Sequence, residues 1–170
     1  MKLLAKGNQM RTFKFFALAM VLALVVFLQP TTAAPDNGPS ASGHGNLTVV
    51  GELRTFSFNA ITQQDGSVSG EAQLNNRSSG QKIHMAINCL SVVGNTAVAS
   101  GVVTISDPTG FKGFTGVFAV QDNGEGKNSP GDRMSLVFLF SPPTTVDCTT
   151  FPFADFPTSP IEDGNIQVNP

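Results

Sequence analysis

The side chains that could perform chemistry are few in this chain. It has two histidines, His44 and His84, and it has neither tyrosine nor tryptophan. A Ser-His-Asp triad would have to use one of them, but His44 lies between two glycines and His84 has no nucleophile motif nearby. A zinc site needs three or four His, Cys or carboxylate ligands at motif spacing, which the sequence lacks. We therefore expect surface histidines, no catalytic residues and no metal ligands.

Paired carboxylates are the other catalytic possibility, because glycosidases use two of them. The candidates are Glu71, Asp122, Glu125 and Asp132. Three of these four lie in one polar turn, which is ordinary composition for a solvated loop, and the aromatic platforms of tryptophan and tyrosine are absent. The sequence thus predicts a protein that is not an enzyme and that carries no cofactor.

The loop 122–132 is the best candidate for binding a ligand or an ion. Its oxygen-bearing side chains are those of Asp122, Asn123, Glu125, Asn128 and Asp132. Calcium takes six to eight oxygen ligands, but the spacing here is not that of an EF-hand loop. The favoured interpretation is a hydrated hairpin loop whose acidic side chains oppose association at the sheet edge, and an ion site is the alternative.

The N-terminal segment is typical of a secretory signal peptide. Four basic residues and no acidic ones precede an unbroken apolar run of 14 residues, 15–28, and small residues follow at 33–34. A membrane-spanning helix needs about 20 residues, so an uncleaved anchor is the less favoured reading. The sequence predicts a signal peptide over residues 1–33 and a secreted product, located outside the cell, in a periplasm or at the cell surface.

Charge narrows the range of partners. The chain has ten basic and 12 acidic residues, and four of the basic ones lie in residues 1–33, which leaves six against 12 and a net charge of −6. Because nucleic-acid binding depends on neutralising phosphates, we expect no nucleic-acid partner. We also expect no membrane association after signal cleavage. The remaining 137 residues suit a single domain.

Beyond a flexible, Gly- and Pro-rich lead-in at residues 34–45, the alternation of apolar and polar residues predicts one all-β domain over residues 46–170. Turn signals separate the alternating stretches, and no helical period appears. These stretches are residues 47–50, 54–61, 67–75, 82–93, 96–105, 114–120, 133–140 and 164–168. They predict an antiparallel barrel or sandwich of about eight strands, connected as a meander.

A long hairpin at residues 113–140 is the centre of this pattern. Met134, Leu136, Phe138 and Phe140 are expected on one face of its second arm. The following segment, 141–163, contains five prolines and three phenylalanines without a strand pattern. Since proline removes hydrogen-bond donors from a sheet, this segment is predicted to be a packed covering loop.

Cys89 and Cys148 are the only cysteines, and we predict that they form a disulfide. Both lie in the part expected to be exported, where disulfides persist. Cys89 should share a buried strand face with Met85 and Ile87, and Cys148 begins the Pro- and Phe-rich segment. The bond would pin the covering loop to a core strand. Two buried free thiols are the alternative.

Several stretches together resemble a family of secreted bacterial β-rich domains. They are Ser-Gly-His-Gly (42–45), Arg-Thr-Phe-Ser-Phe-Asn-Ala (54–60), Asp-Gly-Ser-Val-Ser-Gly-Glu-Ala-Gln-Leu (65–74), Cys-Leu-Ser-Val-Val-Gly-Asn-Thr-Ala (89–97), Asp-Asn-Gly-Glu-Gly (122–126) and Gly-Asn-Ile-Gln-Val (164–168). The resemblance covers almost the whole mature chain. It implies secretion and an all-β domain. The family has no assigned activity, so it implies no substrate and no catalytic residues.

Three functions are compatible with these observations. The favoured one is a secreted, non-catalytic β-domain that binds an unknown partner outside the cell or at its surface. The second is a lipocalin-like carrier, in which a barrel cavity lined by Phe56, Phe58, Phe118 and Phe138 would hold a small apolar ligand. The third and least favoured is a hydrolase built on His84.

Overall fold

The computed structural model describes residues 38–126, 128–142 and 144–170. The predicted signal peptide and the start of the lead-in lie outside these residues. Within them the chain forms ten β-strands and three short 3-10 turns and contains no α-helix. None of their helical segments has the length and apolar character needed to cross a membrane. The strands are β1 (Ser40–Val49), β2 (Glu52–Thr62), β3 (Val68–Asn76), β4 (Lys82–Val93), β5 (Thr96–Asp107), β6 (Thr115–Gln121), β7 (Arg133–Ser135), β8 (Phe138–Phe140), β9 (Thr158–Pro160) and β10 (Asp163–Asn169).

All the strands pair antiparallel in one curled sheet. The order is β10-β1-β2-β3-β4-β5-β6-β7-β9, and β8 pairs with β6 beside β7. Strands β1 to β6 follow one another as the predicted meander, and the sheet curls into a half-barrel. The all-β antiparallel prediction is therefore confirmed.

Residues 40–45, expected to belong to a flexible lead-in, instead form the first half of β1. Gly43 and Gly45 have Phe58 and Phe56 as their register partners on β2. A Cβ atom at Gly43 would lie 2.8 Å from the Phe58 ring, and one at Gly45 would lie 3.2 Å from the Phe56 ring. The glycines that resemble a linker in the sequence are thus the positions where two aromatic rings cover the backbone of a strand.

The inner face of the sheet, which carries Phe58, Met85 and Phe118, holds the main core. Phe118 is fully buried, and its ring meets that of Phe58 edge to face at a centroid distance of 5.3 Å. Met85 lies so close to Gly116 that a Cβ atom there would be 2.7 Å from its sulfur. Burial of these large side chains is the main stabilising contribution to the fold.

Two irregularities in the β4–β5 ladder reverse the expected faces of some residues. Asn88 on β4 and Thr104 on β5 have no register partner, so each marks a bulge. Because one extra residue shifts the two-residue period, Cys89 leaves the face of Met85 and Ile87 and joins the outer face. Ile105 is exposed for the same reason. The prediction that Cys89 lies on the inner face is therefore wrong.

The second arm of the central hairpin is also divided. Between β7 and β8 the ladder is broken, and the backbone N–H of Ala119 donates to the hydroxyl of Ser135 at 2.9 Å instead of to a strand carbonyl. Met134 belongs to the main core, whereas Phe138 and Phe140 lie on the outer face. The break at this point is why the four residues predicted to share one face do not.

A second apolar cluster lies on the outer face of β4, β5, β6 and β8 and is covered by residues 144–157. Its buried members are Val98, Val117, Ala119 and Cys148. The predicted disulfide joins Cys89 on β4 to Cys148 in the covering loop, with a Cα–Cα distance of 5.9 Å. It closes a loop of about 60 residues, for which the chain-entropy model gives on the order of 4 kcal/mol. The disulfide is thus confirmed, and so is the covering loop up to residue 157, whereas Thr158–Pro160 of the predicted segment form β9.

Hydrogen bonds fix the first part of the covering loop, at residues 144–149. The hydroxyl of Thr115 donates to the Thr144 carbonyl at 2.8 Å. Asp147 caps the 3-10 turn that contains Cys148. A hydrogen bond from the Thr149 hydroxyl, followed by one from its backbone N–H, lowers the pKa of Asp147 below its ordinary value. These contacts hold the chain where it has no ladder of its own.

The two ends of the sheet meet through the carboxylates of the 122–132 loop. The backbone N–H groups of Ile166 and Val168 lie on the edge of β10 that, within residues 38–126, 128–142 and 144–170, has no neighbouring strand. Asp132 accepts the N–H of Ile166 at 2.8 Å, and Asp122 accepts that of Val168 at 3.1 Å. The other Asp132 oxygen accepts the N–H of Asn123 at 2.8 Å. Side chains therefore take the place of a neighbouring strand at this edge.

We expect Asp132→Ala to lower the free energy of unfolding by about 3 kcal/mol, because it removes two charge-assisted hydrogen bonds and leaves the buried N–H of Ile166 without an acceptor. Urea denaturation monitored by circular dichroism measures this change. The control is Glu125→Ala, which removes an exposed carboxylate from the same loop and should change stability by less than about 0.5 kcal/mol. Equal losses in the two variants would contradict the bridging role of Asp132.

Candidate functional site

The histidines are not assembled into a catalytic group. His44 is exposed on β1, opposite Ser57 and Asn165, and His84 lies on β4 opposite Gln73. In the described part of the chain neither imidazole forms a hydrogen bond, so His84 is not paired with a serine and a carboxylate there. Nor do those residues include a group of three His, Cys, Asp or Glu side chains that could hold a metal ion.

Side chains of the predicted ligand loop, residues 122–132, form hydrogen bonds within the fold. Asp132 is buried, and each of its oxygens accepts a backbone N–H. One oxygen of Asp122 accepts from Gly124 at 2.8 Å and the other from β10. Asn123 donates through its amide to the Gly131 carbonyl. Glu125 and Asn128 are exposed. Since the carboxylate oxygens of Asp122 and Asp132 already accept backbone hydrogen bonds within the fold, this loop is not the favoured site.

A pocket at one end of the half-barrel has the composition of a binding site instead. This end pocket has a volume of about 160 Å³ and lies where β1, β2, β3, β4 and β7 end or begin. Its apolar lining includes Leu47, Phe56, Ile83 and Met134, all of them buried. Polar residues line it as well, among them Arg54, Asn76 and Gln81. An apolar interior with a few polar groups at the edge is typical of ligand and partner sites.

Hydrogen bonds hold Arg54 and Asn76 in place at the edge of the end pocket. The Arg54 guanidinium donates to the Val49 carbonyl at 2.9 Å and forms an ion pair with Glu52. The Asn76 amide donates to the same Glu52 carboxylate at 2.9 Å, which links β3 to the β1–β2 hairpin. Rigid polar groups of this kind preorganise a site, because they need not be ordered when a ligand binds.

Gln81 differs from Arg54 and Asn76 at the end pocket. Among the residues that the structure describes, its side-chain amide forms no hydrogen bond, although its backbone carbonyl accepts from the Asn76 N–H at 2.8 Å. An amide carries two donors and one acceptor with two lone pairs. Gln81 therefore offers uncommitted hydrogen-bonding capacity beside an apolar interior.

The hairpin beside the end pocket carries an exposed, strained residue. Val50 and Gly51 form a two-residue turn between β1 and β2, and both have positive φ angles, +53° and +75°. A β-branched residue rarely adopts such a conformation, and it costs on the order of 1 to 3 kcal/mol. Val50 is also 96% exposed. Because neither its backbone geometry nor its burial favours valine there, the side chain has no structural reason to be apolar.

Sequence reasoning did not identify this site. Arg54 lies more than 20 residues before Asn76 and Gln81 in the sequence, and all three look like ordinary polar residues beside strand ends. The available signal was Val50-Gly51, because the φ angles of a two-residue hairpin turn favour Asn-Gly or Asp-Gly and disfavour valine.

No family model matches this chain, and neither a curated protein nor a solved structure shows a significant similarity to it.

We expect Val50→Asn to raise the free energy of unfolding by about 1 kcal/mol, because Asn-Gly suits a turn with two positive φ angles. Chemical denaturation of the two proteins measures the difference. Val93→Asn is the matched control, since Val93 is also exposed, at 73%, beside a hairpin turn but has no positive φ angle to relieve. A lower free energy of unfolding in Val50→Asn would contradict the prediction and show that Val50 stabilises the fold.

Proposed function

We propose that the protein is a secreted, non-catalytic domain that binds a partner protein outside the cell, and that the end pocket receives one apolar side chain of that partner. The observation that carries this proposal is the combination at the end pocket of a buried apolar interior with the uncommitted amide of Gln81. The apolar interior provides affinity, and the amide provides an orienting hydrogen bond.

The size of the end pocket supports a protein partner over a free ligand of drug or cofactor size. Pockets for drug-sized ligands and cofactors measure roughly 300 to 1,000 Å³, whereas this one measures about 160 Å³. Protein interfaces commonly depend on single side chains that fill such pockets near the centre of the contact. Val50, exposed on the adjoining hairpin, would then add apolar contact area beside the pocket.

Secretion is supported by the N-terminal sequence and agrees with the disulfide. A basic segment followed by 14 apolar residues precedes the described domain. The Cys89–Cys148 bond suits an oxidising compartment. The resemblance to secreted bacterial β-rich domains favours the same location.

The carrier alternative receives less support from the packing. Phe56, Phe58 and Phe118 are buried in the main core, whereas Phe138 lies on the outer face, where its ring meets that of Phe156 at 5.7 Å. The four side chains therefore do not line one cavity. The space between Phe58, Phe118 and Gly116 is filled by side chains, with Met85 packed against Gly116.

The proposal can be tested with peptides. Peptides selected from a displayed random library on the immobilised, disulfide-intact protein should share one apolar residue. Gln81→Trp places a large ring at the end pocket and should weaken their binding at least tenfold, because excluding one apolar side chain costs about 1.5 to 3 kcal/mol. The dissociation constants can be measured by fluorescence polarisation.

Gln73→Trp is the matched control, because Gln73 is exposed on β3 outside the end pocket. It should bind the selected peptides as the unaltered protein does. Replacing the shared apolar residue of the peptide by alanine should reproduce the effect of Gln81→Trp. Peptides that bind Gln81→Trp at full affinity would contradict the proposed site.

A further inference from the structure

A pocket other than the end pocket lies on the outer face of the sheet. This aromatic pocket is lined by Val117, Phe138, Phe140, Phe151, Asp155 and Phe156 and has a volume of about 190 Å³. Val117 is buried, Phe138 is 39% exposed, and the other three phenylalanines are partly buried. Four aromatic rings therefore surround a space that is open to solvent.

The rings are arranged around this space and do not stack flat on one another. Phe138 and Phe156 have centroids 5.7 Å apart and planes inclined by 68°. Phe140 and Phe151 are 6.5 Å apart at 51°, and Phe151 and Phe156 are 6.3 Å apart at 56°. Tilted rings leave part of their faces uncovered, and the face of an aromatic ring carries partial negative charge.

Asp155 gives the aromatic pocket a full negative charge. Its side chain is exposed and lines the pocket, and no lysine or arginine lines it. Within the described residues the one ion pair joins Arg54 to Glu52, so the Asp155 carboxylate has no cationic partner there. The domain also carries an excess of acidic residues, 12 against the six basic ones outside residues 1–33. Both the local and the overall field thus favour a cation.

We propose that the aromatic pocket binds an organic cation with an apolar surface, of the quaternary ammonium class. Such a cation gains from the ring faces and from the carboxylate, and its methyl groups fill apolar space. A hydrated ammonium such as that of lysine would lose more hydration on entering the same space. The covering loop, which the disulfide ties to β4, supplies Phe151, Asp155 and Phe156 to the pocket, and the Phe156 ring meets that of Phe138 on β8.

Choline and its neutral carbon analogue 3,3-dimethylbutan-1-ol test the charge requirement directly. The two have the same shape and differ in charge. In an NMR titration of the disulfide-intact protein, choline should shift the amide signals of Asp155 and Phe156 with a dissociation constant about tenfold lower than that of the analogue. Equal affinity for the two, or binding of neither, would overturn the proposal and leave an apolar surface cluster only.

Two variants separate the contributions of charge and ring. Asp155→Asn keeps the shape, involves an exposed residue and should weaken choline binding several-fold while leaving the analogue unaffected. Phe156→Leu keeps an apolar side chain and should weaken choline more than the analogue. Glu71→Gln, which removes an exposed acid from β3, is the control and should change neither affinity. Unaltered choline binding by Asp155→Asn and Phe156→Leu would contradict the assigned residues.

The same cation occurs free and in lipid headgroups, and sedimentation with vesicles distinguishes these sources. Protein that sediments with phosphatidylcholine vesicles, but not with phosphatidylglycerol vesicles, and is released by choline uses the headgroup. Choline binding without sedimentation assigns the pocket to a soluble cation. Because the end pocket lies elsewhere, Gln81→Trp should leave choline binding unchanged, so failure of the proposed function and failure of this inference are distinguishable.

Discussion

The fold depends on two carboxylates that replace a strand. The sheet is a meander that begins at β1, and its curled shape brings β10, paired to β1, beside the β6–β7 connection. Among the residues that the structure describes, no further strand pairs with the outer edge of β10. Asp132 and Asp122 accept its N–H groups instead, and Asp132 is buried in doing so. A buried carboxylate is costly unless it is hydrogen-bonded, so this loop must keep its conformation once the sheet has closed.

That constraint also positions the end pocket. Asp132 directly precedes β7, and Met134 of β7 lines the pocket. The backbone carbonyl of Asp132 accepts the N–H of Ile161 at 2.9 Å. On the opposite side of the pocket the Glu52, Arg54 and Asn76 side chains fix the β1–β2 hairpin. The aromatic pocket depends instead on the disulfide, which links the covering loop to β4. The two proposed sites therefore have independent structural supports.

The sequence predicted the class of fold, most strands, the disulfide and the covering loop. Alternation and turn residues can be read from short stretches of sequence, and two cysteines allow only one pairing. It missed the bulges at Asn88 and Thr104, which depend on how neighbouring strands coil and which moved Cys89 to the outer face. It also missed β9 and the first half of β1, where proline and glycine suggested loops. Neither pocket was predicted, because their residues come together only in the folded sheet.

Hydrogen exchange of the Ile166 and Val168 amides tests whether the two carboxylates take the place of a strand at this edge. These two N–H groups have no strand partner among the described residues, so their protection must come from Asp132 and Asp122. We expect NMR to show that both amides exchange as slowly as amides paired within β2 and β3. Asp132→Ala should accelerate exchange of the Ile166 amide by at least about 30-fold relative to those amides. Exchange of both amides at the rate of exposed loop residues in the unaltered protein would contradict the account.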